Sequence, residues 1–576
     1  MGIGSADAPG AMRRTVVVEG PLAVRMRRAE AARNGEAGLQ VVTISVLASR
    51  LAGGFQRLAG PDDIEPAIKA ALDQGGFEEI GPICTLPGMT RAVARTLRKI
   101  WESNLDLTRY ASQSVRLADL ALIQRRIRKL LPSAALLPRD LRDLAVERLR
   151  YAPAVLGQVE LRGISTVAPV WRPLITVLQN WVEVEWHAPQ LAEHSWFSGR
   201  VIHYTSGPVR LPAPDLVTCS DPRAEVVEAL RWIRELLSGG QVPATDVAIA
   251  ATSPGEWDGN IMALSADVGL PLHFSHGIPA LATRDGQRCA ALADLLVHGL
   301  SQDRVRRLVR LVALQGSVLD ELPQDWLNSV PQDAGLLNLD HWERVLRAAN
   351  VRREDGFDLC SVLMPVLRLI SGGPSRAEAA GKLLFRGRPS RLWKEALRAT
   401  PPDAIEFSLR ELRVEDERDP ANCVVWCPAS HLIGAPRPWT RLLGLSSRSW
   451  PRQSGQDDPL VPEHILSRAI LDPDSLSNRD RRAFEIIRAG ATRGLVLSRS
   501  HRRADGVLVA PSPILVRFGP ARPLSPTRVP THAFSESDRL LARPAEAARV
   551  PRLAGAVTCW GNIGFVVPNR INRRYE

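Results

Sequence analysis

Short apolar runs that break off into polar, arginine-bearing loops recur along this chain. The clearest are residues 441–451 (RLLGLSSRSWP) and residues 495–503 (LVLSRSHRR). A run of this kind matches a buried parallel strand whose carboxyl end delivers side chains to a crevice. The same reading places further strands at 15–18, 39–44, 158–164, 182–185, 247–251, 423–427 and 494–498. Between them the apolar period changes from two to between three and four. Val93, Leu97 and Ile100 share one helical face, as do Leu120, Ile123, Ile127 and Leu130. Ser45 reads as the N-cap of a helix over 46–58. An amphipathic helix over 223–237 puts Ala229, Ile233 and Leu237 on one face, and another helix covers 286–300.

Strand and helix in alternation predict an α/β protein. Two blocks are expected, 14–215 and 216–515, each with a mainly helical insertion, at about 60–150 and 258–400. Residues 1–13 read as a flexible leader and 516–576 as a linker or tail rich in Pro, Ala and Arg.

With 45% hydrophobic and 24% charged residues over 576 positions, the composition is that of a folded multidomain chain. No apolar run reaches the length of a membrane span, and residues 1–10 carry no signal-peptide pattern. The seven cysteines are scattered rather than framed as disulfides, so a reducing, cytoplasmic setting is expected. The net charge of +12 suits a polyanionic partner, above all nucleic acid, although a genome that favours arginine codons produces the same excess.

The candidate chemistry is basic. Arg448, Trp450 and Arg452 share one strand-end loop, and Arg499, Arg502 and Arg503 share another. Clustered guanidinium groups beside an indole suit phosphate contacts and base stacking on single-stranded nucleic acid. The alternative is that Trp450 packs the interior and the arginines are solvated. Metal chemistry is not expected. Cys423 and Cys427 lie four apart on a strand, and His273 and His276 have the spacing of a turn or core pair.

Three segments, in register over 215–515, resemble the AddB/RecC-like branch of superfamily 1 helicases. They are the 221–250 helix and strand, the GLPLHFSHG stretch from Gly269 with the helix after it, and the loops at 443–451 and 495–499 with the APSPIL stretch from Ala510. The first block resembles the family more loosely, through 41–48. The resemblance implies two RecA-like parallel-sheet domains and a place in double-strand break processing.

An active member needs a glycine-rich loop ending in Gly-Lys-Ser/Thr after its first strand, and a carboxylate for magnesium at the end of another. The first position here holds Glu19, Gly20 and Arg25, and the second ends in Arg162. A degenerate nucleotide site with no cofactor is therefore expected. Arg499 stands where active relatives carry the arginine that senses the γ-phosphate. Relatives often end in a nuclease whose chemistry needs a carboxylate two positions before a lysine. None of the five lysines (Lys69, Lys99, Lys129, Lys382 and Lys394) has one.

The expected function is thus a helicase-like, ATPase-inactive DNA-binding or scaffolding subunit, without intrinsic catalysis. Its expected partners are DNA and an active helicase-nuclease subunit, with no membrane. Two alternatives stand beside it. The chain could be the front part of a longer exonuclease or helicase-nuclease, or a protein–protein scaffold without DNA contact.

Overall fold

The computed structural model of the chain describes residues 13–539, apart from 87, 190, 204–210, 267–268, 314–315, 332–334, 454–457, 473, 526–527, 531 and 536–537. The expected leader, save Arg13, and the end of the expected tail from 540 onward lie outside the described residues.

Two parallel sheets dominate. The first contains β1 (Arg14–Val17), β2 (Leu39–Val42), β3 (Gln158–Arg162), β4 (Val184–Ala188) and β5 (Arg200–His203), in the order β2-β1-β3-β4-β5. Helix α1 (Gly20–Arg33) follows β1, and α2 (Ile44–Leu51) follows β2. The second sheet contains β6 (Asp215–Cys219), β7 (Val247–Ala251), β8 (Leu272–Phe274), β9 (Val424–Pro428), β10 (Trp439–Leu442), β11 (Gly494–Ser500) and β12 (Arg522–Pro523). Its order is β8-β9-β7-β10-β11-β6-β12, and every pairing is parallel. Three of its helices matter below: α3 (Pro222–Ser238), α4 (Gly255–Ala266) and α5 (Leu476–Gly490).

Alternation along β1 explains how the sheets meet. Successive side chains on a strand point to opposite faces. Val17 packs with Val42, Leu47 and Leu161 in the core of the first sheet. Val16 and Val18 face the other way, into a core they share with Val425, Cys427, Leu442 and Leu497 of the second sheet. Burying these two valines contributes roughly 3–5 kcal/mol to holding the sheets together. The sheets therefore share one packed interior along this face.

Each helical insertion leaves and returns through a short two-stranded neck. The helices within 61–131 lie between Arg57–Leu58 and Ala135–Leu136, which pair in parallel. Those within 284–411 lie between Ile278–Pro279 and Arg413–Val414, which pair antiparallel. A two-residue strand carries almost no hydrophobic signal, so these boundaries differ from the expected 60–150 and 258–400.

Other differences have equally local causes. The second helix begins at Ile44, with Thr43 rather than Ser45 at its N-cap, and it stops at Leu51. Gly53 and Gly54 follow with φ of 109° and 82°, a conformation that ends a helix before residue 58. β4 is displaced toward its carboxyl end because Trp186 and Ala188 are its inward residues. The stretch after 516, expected as linker, adds β12 to the second sheet, and Phe534 enters that sheet's core. Asp538 accepts hydrogen bonds from the buried Arg231, which fastens this segment to α3.

Candidate nucleic-acid interface

β10 and β11 lie side by side, so the two loops that stood out in the sequence emerge together at the carboxyl edge of the second sheet. Gly444 turns the first loop with φ of 71°, and a Cβ there would meet the Trp257 ring at 2.9 Å. The second loop is a hairpin in which Arg502 pairs with Leu508 across a bridge.

A buried carboxylate ties the two strand ends together. Glu225, in the first turn of α3, accepts from the Ser498 hydroxyl at 2.6 Å, the Ser500 hydroxyl at 2.6 Å and the Gly444 amide at 2.9 Å. Complete burial raises its pKa, and the three donors oppose that shift. Glu225 sits four residues before Ala229 and eight before Ile233, so the sequence already placed an acid on the apolar face of that helix. That misplaced charge was the available signal for a buried polar network.

The clamp positions a cavity of about 560 Å³, lined by Arg448, Arg502, Arg503, Trp257, Asn260 and Ser446 among others. The first turn of α4 opens onto it through Glu256 and Trp257, and Pro222 brings the start of α3 to its wall. Helix amino ends favour anions. Arg448 is exposed and makes no hydrogen bond or ion pair among the described residues. Arg502 is exposed, and among the described residues its guanidinium donates only to the Gly506 carbonyl, at 3.0 Å. Arg503 lies 3.5 Å from Asp505. Against Glu256 and Asp505, the three arginines leave the lining with a net positive charge.

The other three candidates have structural work. Trp450, expected as a stacking platform, is fully buried. Its indole N–H donates to the Leu443 carbonyl at 3.3 Å, and its ring meets Phe484 edge-on at 6.2 Å. Arg452 forms a two-pronged pair with the buried Asp480 of α5, at 3.0 and 2.7 Å. Arg499 donates to the Val509 carbonyl at 3.1 Å and so braces the hairpin. These corrections share a cause. A strand-end loop must be anchored before it can present anything, and side chains turned inward do that.

The carboxyl edge of the first sheet opens on a larger cavity of about 790 Å³, lined by Glu19, Gly20, Thr43, Lys99, Glu102 and Arg482 among others. Only Val18 and Glu19 separate β1 from α1, so no extended loop of amides exists to surround a polyphosphate. The cations on the wall are already paired. Lys99 lies 3.0 Å from Asp458, Arg172 2.6 Å from Glu193, Arg479 2.8 Å from Asp472 and Arg482 2.8 Å from Asp474. Desolvation by the surrounding walls pushes the Glu19 carboxyl up to about 7, although its own surface is open to solvent, which tempers the effect. The Glu102 carboxyl is raised for the same reason.

Arg25 and Arg162 do not join Glu19 and Gly20 there. Arg25 pairs with Glu415 at 2.8 Å beside a separate recess of about 70 Å³. Arg162 pairs with Glu30 at 3.3 Å and opens on a different groove.

Raising the Glu19 pKa disfavours its ionised form in the fold. The burden grows as pH climbs from the ordinary 4.5 to about 7, and it stands in full above that. Glu19→Gln is therefore expected to raise the melting temperature at pH 8 and to leave it unchanged at pH 4. Thermal melts of both proteins across that range check the sign.

His276 bonds to Asp258 at 3.0 Å, and Asp258 also accepts from Trp426 at 2.7 Å and Arg413 at 2.6 Å, a buried knot beside the insertion neck. Cys427 is fully buried, and burial pushes its thiol up to about 12. Among the described residues Asp294, His298 and Glu406 bring potential ligand atoms within 4.8 Å of one another. Asp294 is already held by Arg304 at 3.0 Å and Arg307 at 3.7 Å, so a cation would have to displace them.

The chain matches no protein-family model and no curated protein.

Proposed function

We propose that this protein is a nucleic-acid-binding subunit on a degenerate helicase-like scaffold, of the AddB/RecC-like kind, acting beside a separate helicase-nuclease motor. Two RecA-like units, one per parallel sheet, form the scaffold in this reading. The observation that carries it is the convergence of Arg448, Arg502 and Arg503 on one cavity at the carboxyl edge of the second sheet. Guanidinium groups suit phosphates, because their planar forks match phosphate oxygens and remain charged at every physiological pH, and of the three only Arg503 has a carboxylate beside it among the described residues. The first-sheet cavity supports the other half of the reading. It lacks a phosphate-cradling loop, its wall cations are neutralised by carboxylates, and Glu19 stands at its mouth.

Filter binding of single-stranded DNA at 50 and 200 mM salt tests the proposal. Three phosphate contacts give a log–log slope of about −2, roughly a 15–20-fold loss of affinity between the two salts. Absent or salt-insensitive binding removes the nucleic-acid reading. No DNA-stimulated ATP hydrolysis is expected from the isolated chain, and turnover above background overturns the inactive-motor half.

A further inference from the structure

A second arginine-lined groove lies beside the loop that carries Arg448, with Pro451 of that loop in its wall. It measures about 570 Å³ and is lined by Asn478, Arg481, Arg482, Phe484, Pro451 and Arg517 among others. Asn478, Arg481, Arg482 and Glu485 follow the i, i+3, i+4, i+7 spacing, so one face of α5 forms a wall.

Arg481 is exposed and has no hydrogen bond or ion pair among the described residues. Arg482 is committed to Asp474 at 2.8 Å. Arg517 bonds to Glu485, and its guanidinium lies over Phe484 at 5.3 Å and Phe518 at 4.8 Å. Half of the Arg517 side chain remains exposed. A guanidinium that lies over aromatic rings and keeps half its side chain exposed has surface left on which to stack a base.

The groove and the first cavity are held in fixed relation. Arg448 lines the cavity and Pro451 lines the groove, three residues apart on one loop. Arg452 fastens that loop to Asp480 of α5, and Ser512 donates to the Trp450 carbonyl. Arg482 also lines the first-sheet cavity, so the groove adjoins that cavity.

We infer that this groove is a second station on the path of one single strand, which crosses the Arg448 loop and stacks a base on Arg517. The inference rests on the nucleic-acid reading above and deepens it. An extended polyanion is required because a compact anion could not engage the cavity and the groove at once. Arg517 takes the place of the aromatic platform that Trp450, buried, does not provide.

Oligothymidylates of about 5 and about 20 nucleotides, bracketing known single-strand site sizes, test it by fluorescence anisotropy. Arg481→Ala with Arg517→Ala should weaken the long oligomer about tenfold or more, flatten its salt slope by about 0.7 because Arg481 alone contacts phosphate while Arg517 stacks, and leave the short one within twofold. Arg448→Ala with Arg502→Ala should weaken both. Because Arg517 packs on Phe484, the single reversal Arg481→Glu serves as a second variant on an exposed, unpartnered site, and it too should weaken the long oligomer. Wild-type-like binding of the long oligomer by both groove variants, with the cavity variant impaired, overturns the groove and leaves the nucleic-acid reading standing. Absence of binding by the wild-type chain overturns both. Displacement by polyglutamate at the same charge concentration as oligothymidylate would make the ligand an acidic peptide and overturn the inference.

Discussion

Arg448→Ala combined with Arg502→Ala is expected to lower the affinity for single-stranded DNA by about 10–30-fold at 0.1 M salt, with the fold intact. The magnitude follows from counterion release. Each phosphate neutralised on a single strand contributes about 0.7 to the salt slope, or roughly a factor of five at 0.1 M salt. Two lost contacts multiply to roughly 25 and flatten the slope by about 1.4. The fold should survive because Arg448 has no partner among the described residues, and Arg502 gives up one hydrogen bond, to Gly506. Circular dichroism of the double variant checks that point. Unchanged binding and an unchanged slope would remove these two residues from the interface.

Glu225→Ala carries the largest expected effect on stability, a loss of about 3 kcal/mol or more. The substitution removes the acceptor of the fully buried Ser498 hydroxyl and of the half-buried Gly444 amide and Ser500 hydroxyl, and each unsatisfied buried donor costs about 1–3 kcal/mol. Ser498 also donates to the Leu442 carbonyl at 3.1 Å, which limits its share of the loss. Glu225→Gln keeps the shape and one carbonyl acceptor, so its cost should be about 1 kcal/mol. The sign of its pH dependence follows from the raised pKa. Ionising the buried acid destabilises the wild-type fold as pH rises above the ordinary carboxylate range, so the deficit of the Gln variant should shrink toward alkaline pH. Urea unfolding at several pH values reads all three quantities. An Ala variant as stable as the wild type would mean that the strand ends are held by other contacts. Because Glu225 positions the strand ends that carry Arg448 and Arg502, the Gln variant is the one to combine with DNA titrations.

The two readings of Trp450 and its neighbours show where sequence reasoning stops. Arg448 to Arg452 alternates basic and bulky residues on one loop, and nothing in that order says which side chains turn inward. The answer lies about thirty residues away, where Asp480 waits for Arg452 and Phe484 for Trp450. Arg502 and Arg503 were visible as exposed charges, whereas Trp257 and Asn260 reach the same cavity from a helix that follows a different strand. Arg481 and Arg517 escaped notice because arginines, single like Arg517 or close together like Arg479, Arg481 and Arg482, are common in a chain this basic.

The α/β class and the central strands could be read from the chain alone. A run such as Val247–Ala251, apolar at every position, has one favourable fate, burial on both faces of a parallel sheet. Spacing also pointed to two helical insertions, and the want of a Gly-Lys-Ser/Thr sequence after the first strand, where Glu19, Gly20 and Arg25 stand, was legible in the chain. Edge elements were decided only by the tertiary structure. β12, exposed at both residues, exists because β6 offers it a free row of backbone groups. The placement of Glu19 and Gly20 at one cavity, with Arg25 and Arg162 elsewhere, was decided in the same way. Periodicity is local and records which face of an element avoids water. Which charges meet depends on strand order and on partners hundreds of residues apart, and these are settled when the whole interior packs.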